Sequence, residues 1–430
     1  MRLLTARYLL PTPDRWIEGG GLLVRRGRIA RLLAGPRAVA RAAAVHGLPP
    51  EDQGDVVLAA GLVNAHAHLE LGLLRDQLPA DRGFAAWVAA LIEARERAGA
   101  AAAARGLVEG VRRLLATGTT AAGDIDASDA HDRADAGPLR VRRYREVLDA
   151  RDPLRRAAVL FRVRRRLPPT RSRWEGISPH APFTASDELL RRAGEIARRR
   201  RIPLQVHWAE SEEETLWLAT GGGPFAPFLP PSPRRTGLDL LFAAGLLGPA
   251  TALVHGNHPA RGEMEKIAAR GTVLIHCPGT HAFFGREPFP WRRWRRAGVM
   301  VALGSDSLAS NADLDLRREM ALARAGASSL DPAEVWAMGT SRAARALGLA
   351  DRLGELLPGR EADVAAIAGL AAAGRRPALD ALTSGAGRVS GLWIGGQPVA
   401  LPAGGSGGPL ARPAPGRGAR SPRGYGRMRG

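Results

Sequence analysis

A (β/α)8 barrel of the TIM type, with a small β-sandwich domain built from both chain ends, is the fold this sequence predicts. Three observations carry the prediction. Eight short apolar runs end near Asn64, Asp124, Glu146, His180, His207, His255, His276 and Asp306. Helical stretches separate them, among them Phe84 to Arg97, Ala102 to Ala116, Ser186 to Arg200, Arg261 to Arg270 and Leu314 to Ala325. Several of the runs finish on histidines or acids, and a parallel barrel gathers its functional groups at the carboxyl ends of its strands.

The flanks differ in character. Residues 1–58 read as short strands with a turn at Gly19-Gly20-Gly21, too little chain for a core of its own. The segments Gly354 to Ile367 and Val389 to Val399 have the same strand-and-turn flavour. Residues 1–58 and 349–403 are therefore expected to form one small β-domain around a barrel of residues 59–348. Residues 404–430 are rich in Gly, Pro, Ser and Arg, lack apolar periodicity, and read as a disordered basic tail.

Composition excludes several classes. A single cysteine, Cys277, rules out a disulfide framework and a zinc site built mainly from thiolates. Free Cys is usually packed and inert, and that is the reading for Cys277. No stretch approaches the roughly 18 apolar residues of a membrane span, and Arg2 and Arg7 break any secretory signal early. A soluble, cytoplasmic protein without a membrane partner is expected. The net charge of +20 is almost all arginine, with Lys266 the only lysine. Arginines such as Arg191, Arg192 and Arg198 to Arg201 are spaced as a solvated helix face, so no specific nucleic-acid partner is expected. The rival, a non-catalytic arginine-rich polyanion binder on a relic barrel, predicts strongly salt-dependent binding and the loss of site residues.

The centre of the chemistry is Val63-Asn64-Ala65-His66-Ala67-His68-Leu69-Glu70. Side chains two apart on a strand share a face, so His66 and His68 present two imidazoles together. His207 ends the fifth apolar run and Asp306 the eighth. The four make an N/O ligand set for one divalent metal, zinc or iron, with room for water. Such a metal brings the pKa of bound water down to about 7. Asp306 can accept the water's proton, and Glu210, three residues after His207, can protonate a ring nitrogen beside the attacked carbon. His255 would stabilise the hydroxide or the developing tetrahedral centre.

Taken in order, GLVNAHAHLE, TGTTAAGDI, SPHAPFT, HWAES, LVHGNH, HCPGT, LGSDSLASN and PGREADV make the chain resemble the amidohydrolase superfamily. The branch is that of the mononuclear aminohydrolases, and the resemblance covers nearly the whole chain. Nearest in pattern are deaminases of S-adenosylhomocysteine, methylthioadenosine and aminofutalosine, with relatives that displace halide from s-triazines. The resemblance implies His66, His68, His207 and Asp306 as metal ligands. It implies Glu210 as the proton shuttle, His255 as the residue orienting water or substrate, and His180 as a substrate contact. Substrate contacts are also expected around Glu70 and Trp87, although Trp87 at helical spacing from Phe84 equally reads as core. His281 faces either the substrate or the surface, and His276 either the core or the pocket edge. Glu146 reads as a structural barrel acid, Ser310 and Asn311 shape the loop after Asp306, and His131 sits in a polar linker with no assigned role.

Two absences narrow the class. Binuclear members of the superfamily bridge their metals with a carbamylated lysine, and Lys266 falls in a predicted helix. Cytidine-deaminase zinc sites need two or three cysteines. Two departures widen the substrate. His281 stands where adenosine-type members commonly carry asparagine, and SLASN after Asp306 replaces a glycine-rich loop. The expected function is hydrolytic deamination of an adenine-type nucleoside or related amino-heterocycle by attack of metal hydroxide. The alternative is hydrolysis of another C–N or C–halogen bond, in a cyclic imine or a chlorotriazine. One divalent ion per chain, zinc first and iron second, is the expected cofactor, and exposed barrel faces suggest a homodimer.

Overall fold

The computed structural model describes residues 1–164, 170, 172–370 and 374–402. The expected basic tail, residues 404–430, lies outside the described residues. Seven strands open the chain: β1 (Arg2–Thr5), β2 (Tyr8–Thr12), β3 (Arg15–Glu18), β4 (Gly21–Arg25), β5 (Arg28–Leu33), β6 (Glu51–Asp52) and β7 (Val56–Ala60). The next four are β8 (Leu62–Ala67), β9 (Thr119–Asp126), β10 (Arg140–Val147) and β11 (Arg173–Pro179). After them come β12 (Leu204–Trp208), β13 (Thr251–His255), β14 (Val273–His276) and β15 (Val301–Leu303). Last are β16 (Val364–Ala368), β17 (Arg388–Ile394) and β18 (Gln397–Pro398).

Strands β8 to β15 form one eight-stranded sheet in sequence order, with every neighbouring pair parallel. The sheet closes through an Ala67–Asp306 bridge and the bond from Ser305 N–H to His66 O at 3.1 Å. This is the predicted (β/α)8 barrel. The runs expected to end at His207, His255 and His276 end on or next to those residues, because an apolar β-branched segment buried on both faces leaves little ambiguity of type.

The side chains divide into two layers. Val63, Ala121, Tyr144, Val254 and Ile275 fill the barrel interior with Leu347 and Leu353, while Leu107, Leu189, Leu241 and Ile267 cover its outer face. The two expected helices Phe84 to Arg97 and Ala102 to Ala116 are one run, Phe84–Ala116, broken at Gly99 (φ 73°, ψ 178°). That conformation is open to glycine and strained for other residues. The helix expected from Ser186 is Asp187–Arg200, capped by Ser186, whose hydroxyl accepts from Leu189 N–H at 3.2 Å.

Both chain ends contribute to one further sheet, ordered β18-β17-β16-β7-β2-β3, in which β16 runs antiparallel to β7 with Val364 opposite Ala60. A second sheet, β5-β4-β1-β6, packs against it through Leu4, Leu22 and Ile29 facing Leu9, Leu58 and Trp393. The passage from β7 into the barrel takes a single residue, Gly61, where a Cβ would lie 2.3 Å from Thr120. No helix among the described residues is long and apolar enough to cross a membrane.

The arginines are not all a solvated face. On β10, Arg140, Arg142, Arg143 and Arg145 are all buried. Arg143 pairs with Asp126 at 2.5 Å, Asp132 at 2.6 Å and Asp129 at 3.0 Å. Arg140 reaches from the barrel to the strand-end sheet, holding Asp363 at 2.7 Å and Glu361 at 3.0 Å. Helix-face arginines Arg191 and Arg192 do pair with Glu188 and Glu195. Replacing Arg140 by methionine leaves the buried Asp363 carboxylate without its guanidinium, while Glu361 keeps Arg28 and Arg352. It is expected to destabilise the chain by about 3–5 kcal/mol in denaturant titration. Arg140→Lys is expected to restore only part of that, since it cannot grip Asp363 with two donors.

Candidate metal centre and active-site cavity

The four residues expected as ligands come together at the carboxyl end of the barrel. His66 and His68, at the end of β8, meet edge to face with ring centroids 5.0 Å apart. His207 on β12 brings its Nε2 to 3.2 Å from His68 Nε2. Asp306, just past β15, places Oδ1 at 3.7 Å from Nε2 of both His66 and His68. Strict alternation does not account for this by itself, because β8 carries two register irregularities, between Leu62 and Val63 and between Asn64 and Ala67, that re-aim its end.

Hydrogen bonds behind the rings decide which nitrogens face inward. His66 Nδ1–H donates to Gln205 Oε1 at 2.9 Å, and the Gln205 amide donates to Ala65 O at 2.7 Å. His207 Nδ1–H donates to His180 O at 3.0 Å. The tautomers assigned by these partners leave both Nε2 lone pairs turned into the cluster. His66 Nε2 is buried there without a hydrogen-bond partner among the described residues. Burial first, then the neighbouring imidazoles, hold His68 and His255 well below the usual histidine range and His207 at about 3. Three imidazoles and a carboxylate oxygen suit a divalent first-row cation, and such a cation would satisfy the orphaned Nε2 of His66.

The backbone is strained at the same place. His255 (φ 76°) and Asp306 (φ 57°) are left-handed non-glycine residues, each costing about 1–3 kcal/mol, and both sit at strand ends beside the cluster. Asn64 braces the neighbourhood: its Nδ2 donates to Ser305 Oγ at 2.6 Å, and its Oδ1 accepts from Ser305 N–H at 3.1 Å and His66 N–H at 3.2 Å. On the far side Asn311 donates to Ser305 O at 2.8 Å and to Glu319 at 2.7 Å.

Glu210 lies in the loop after β12. Its backbone N–H donates to Glu214 at 2.9 Å, and its carboxylate stands 3.4 Å from His255 Nε2 and 3.2 Å from the Arg286 guanidinium. Burial raises its pKa to about 7 against the opposing pull of Arg286. Arg286 is itself held over the Phe284 ring, 4.5 Å from its centroid.

A cavity of about 330 Å³ opens over these groups. One wall carries His68, His207, His255, Asp306 and Glu210; the other is apolar, with Phe84, Trp87, Phe183 and Phe225. His180 and Trp87 are among the lining residues, and Trp87 is at the same time part of the buried core beside Phe84. Glu70 is not among the lining residues. Its carboxylate accepts from Ser128 N–H at 2.9 Å and from Arg95 at 3.1 Å, so it holds Arg95, which does line the cavity. His281 is also outside the lining, since one ring nitrogen meets Asn257 Oδ1 at 3.2 Å and the other Glu287 O at 2.8 Å. His131 is buried and bonds Asp124 at 2.7 Å, unlike a polar linker residue. Lys266 is half-exposed on a helix, 3.5 Å from Asp239.

The sequence reading missed Gln205, Arg286 and Arg95. A signal for Gln205 existed: it precedes His207 by two strand positions and so shares its face. Arg95 reaches the cavity from a helix and Arg286 reaches Glu210 from a loop, where spacing carries no such information.

Residues 57–399 match the sequence profile of the amidohydrolase family. The aminodeoxyfutalosine deaminase of Deinococcus radiodurans is 33% identical over 311 residues, covering 66% of this chain and 71% of that protein. The 5-methylthioadenosine/S-adenosylhomocysteine deaminase of Syntrophobacter fumaroxidans is 30% identical over 397 residues, 84% of this chain and 83% of that one. Among solved structures, an adenosine deaminase from Xanthomonas campestris with bound zinc superposes with a TM-score of 0.74 at 27% identity, over 92% of both chains.

Gly304 tests how tightly the site is built into the barrel. A Cβ there would lie 2.8 Å from both Cβ and O of His66. Gly304→Ala is expected to push β15 away from β8 and to lower unfolding free energy by about 1–3 kcal/mol or more, read by thermal and denaturant melts.

Proposed function

The chain belongs to the amidohydrolase family, and from that premise we propose that it deaminates an adenine-type nucleoside hydrolytically, using one zinc ion. The observation that carries the reading is the meeting of three imidazoles, Asp306 and the buried carboxyl of Glu210 beside one cavity with an aromatic wall. The named activities of the Deinococcus and Syntrophobacter relatives, and the zinc in the Xanthomonas structure, support it.

We assign His66, His68, His207 and Asp306 to the metal. When bound, the cation supplies the Lewis acid that makes a water a competent nucleophile near neutral pH. The flat aromatic wall of Phe84 and Trp87 holds the base and excludes bulk water. As water adds to the carbon bearing the amino group, Asp306 takes up its proton. Glu210, with a pKa near 7, delivers a proton to the adjacent ring nitrogen. His255, 3.4 Å from Glu210, donates toward the developing oxyanion or keeps the water in line. Proton transfer to the amino group then lets the C–N bond break, releasing ammonia and leaving a ring carbonyl.

Glu210→Gln keeps the shape and the Arg286 contact but removes the transferable proton. Ammonia release from adenosine and 5-methylthioadenosine is expected to fall about 10²–10⁴-fold with zinc content unchanged. Treatment with a chelator is expected to abolish turnover, and about one equivalent of zinc per chain to restore it. A metal-free enzyme that keeps full activity would sink the assignment.

A further inference from the structure

The loop that carries Glu210 is followed by a second buried acid, one for which the deamination chemistry has no use. Glu214 is 1% exposed and stands on the helix Glu212–Thr220, whose amino-terminal cap is Ser211. Ser211 Oγ accepts from Glu214 N–H at 3.1 Å, one half of an S-x-x-E capping box. In such a box the acid returns to the N–H of the capping residue. Glu214 reaches further back. Its Oε2 accepts from Glu210 N–H at 2.9 Å and its Oε1 from Ala209 N–H at 3.2 Å.

The carbonyl groups of the same two residues are held from the opposite direction. Ala209 O accepts from Asn257 N–H at 2.9 Å and from His258 N–H at 3.0 Å, and Glu210 O accepts from Asn257 Nδ2 at 3.0 Å. Asn257 lies two residues after His255, whose Nε2 stands 3.4 Å from the Glu210 carboxylate. Ala209 itself is left-handed, with φ 49°, a conformation that a residue with a Cβ keeps only where its surroundings impose it. Glu210 follows His207 by three residues, so a turn of the Ala209–Glu210 peptide swings its carboxyl relative to the metal cluster.

Two successive N–H groups need two acceptor oxygens, which a carboxylate has and a carboxamide lacks. Deprived of them, buried N–H groups are costly, and the peptide turns to find other partners. We propose that Glu214, with Asn257 opposite, is a positioning residue for proton transfer: gripping the backbone of Ala209 and Glu210 fixes where Glu210 presents its carboxyl. The inference rests on the deaminase reading and deepens it, since it says what holds Glu210 in a productive place. A plain helix cap would contribute stability and leave the chemistry untouched.

The test measures ammonia release from adenosine and 5-methylthioadenosine in the zinc-loaded wild type, Glu214→Gln and Asn257→Ala, and in each variant combined with Glu210→Gln. Glu214→Gln is expected to lower kcat by about 10–100-fold while KM changes by less than about threefold. Asn257 is only half-buried, and Asn257→Ala is expected to act in the same direction by about tenfold. It carries the test alone if Glu214→Gln does not fold. In the Glu210→Gln background neither substitution should lower kcat by more than about threefold further, because the group they position is gone. Losses that multiply in the double variants, or an unchanged kcat in the single ones, overturn the proposal. Amide hydrogen exchange across residues 208–211, read by mass spectrometry, checks the clamp without turnover. It is expected to be faster in Glu214→Gln at unchanged zinc content, and wild-type exchange there overturns the proposal. Faster exchange in the variant of a protein that deaminates neither nucleoside would support the clamp and overturn the deaminase reading. A wild type that deaminates, with variants that keep its kcat and its exchange, would do the reverse.

Discussion

The bonds that join the first barrel strand to the last are the constraint on which this site depends. Asn64 and Ser305 clasp each other through side chain and backbone, the two residues lying 241 positions apart in sequence. Asp306 N–H donates to His66 O at 3.1 Å, and His68 N–H donates to Asp306 O at 3.2 Å. Those same strands carry His66, His68 and Asp306. Closing the barrel and assembling the cluster are therefore one event, and the left-handed backbone of Asp306 is maintained by that closure. The absence of space for a Cβ at Gly304 has the same origin.

Around the cluster, desolvation does most of the electrostatic work. It disfavours the charged forms of His68, His207 and His255, and it raises the Glu210 pKa to about 7. The opposite solution appears a few residues away. The buried arginines of β10 stay charged because several carboxylates or carbonyl oxygens meet each of them. Much of the arginine excess on that strand thus serves internal pairing, and it ties the barrel to the sheet that both chain ends share.

How far the sequence was legible depends on what each residue's position reports. His66, His68, His207, His255 and Asp306 stood at the ends of apolar runs, and a parallel barrel gathers strand ends at one face. Their meeting followed from the fold class. Glu70 and His281 had equally suggestive positions in the loops, but loop side chains take direction from whichever partner is near. Glu70 is engaged by Arg95 and Ser128, and His281 by Asn257 and Glu287. Glu146, read as a structural acid, lines the cavity, with its Oε1 buried and unpartnered among the described residues. His131 likewise changed from a linker residue to the buried partner of Asp124.

The sequence by itself determined the alternation of strands and helices, the barrel they close into, and which imidazoles and carboxylates share its carboxyl end. These are local properties, set by apolar run length, side-chain alternation and the order of motifs. Only the tertiary structure decided which nitrogen of each histidine faces the cluster, which acids are engaged, that Arg95 lines the cavity and that Arg286 meets Glu210. Each of those depends on partners far away in the chain, whose direction and distance exist only once the strands have closed.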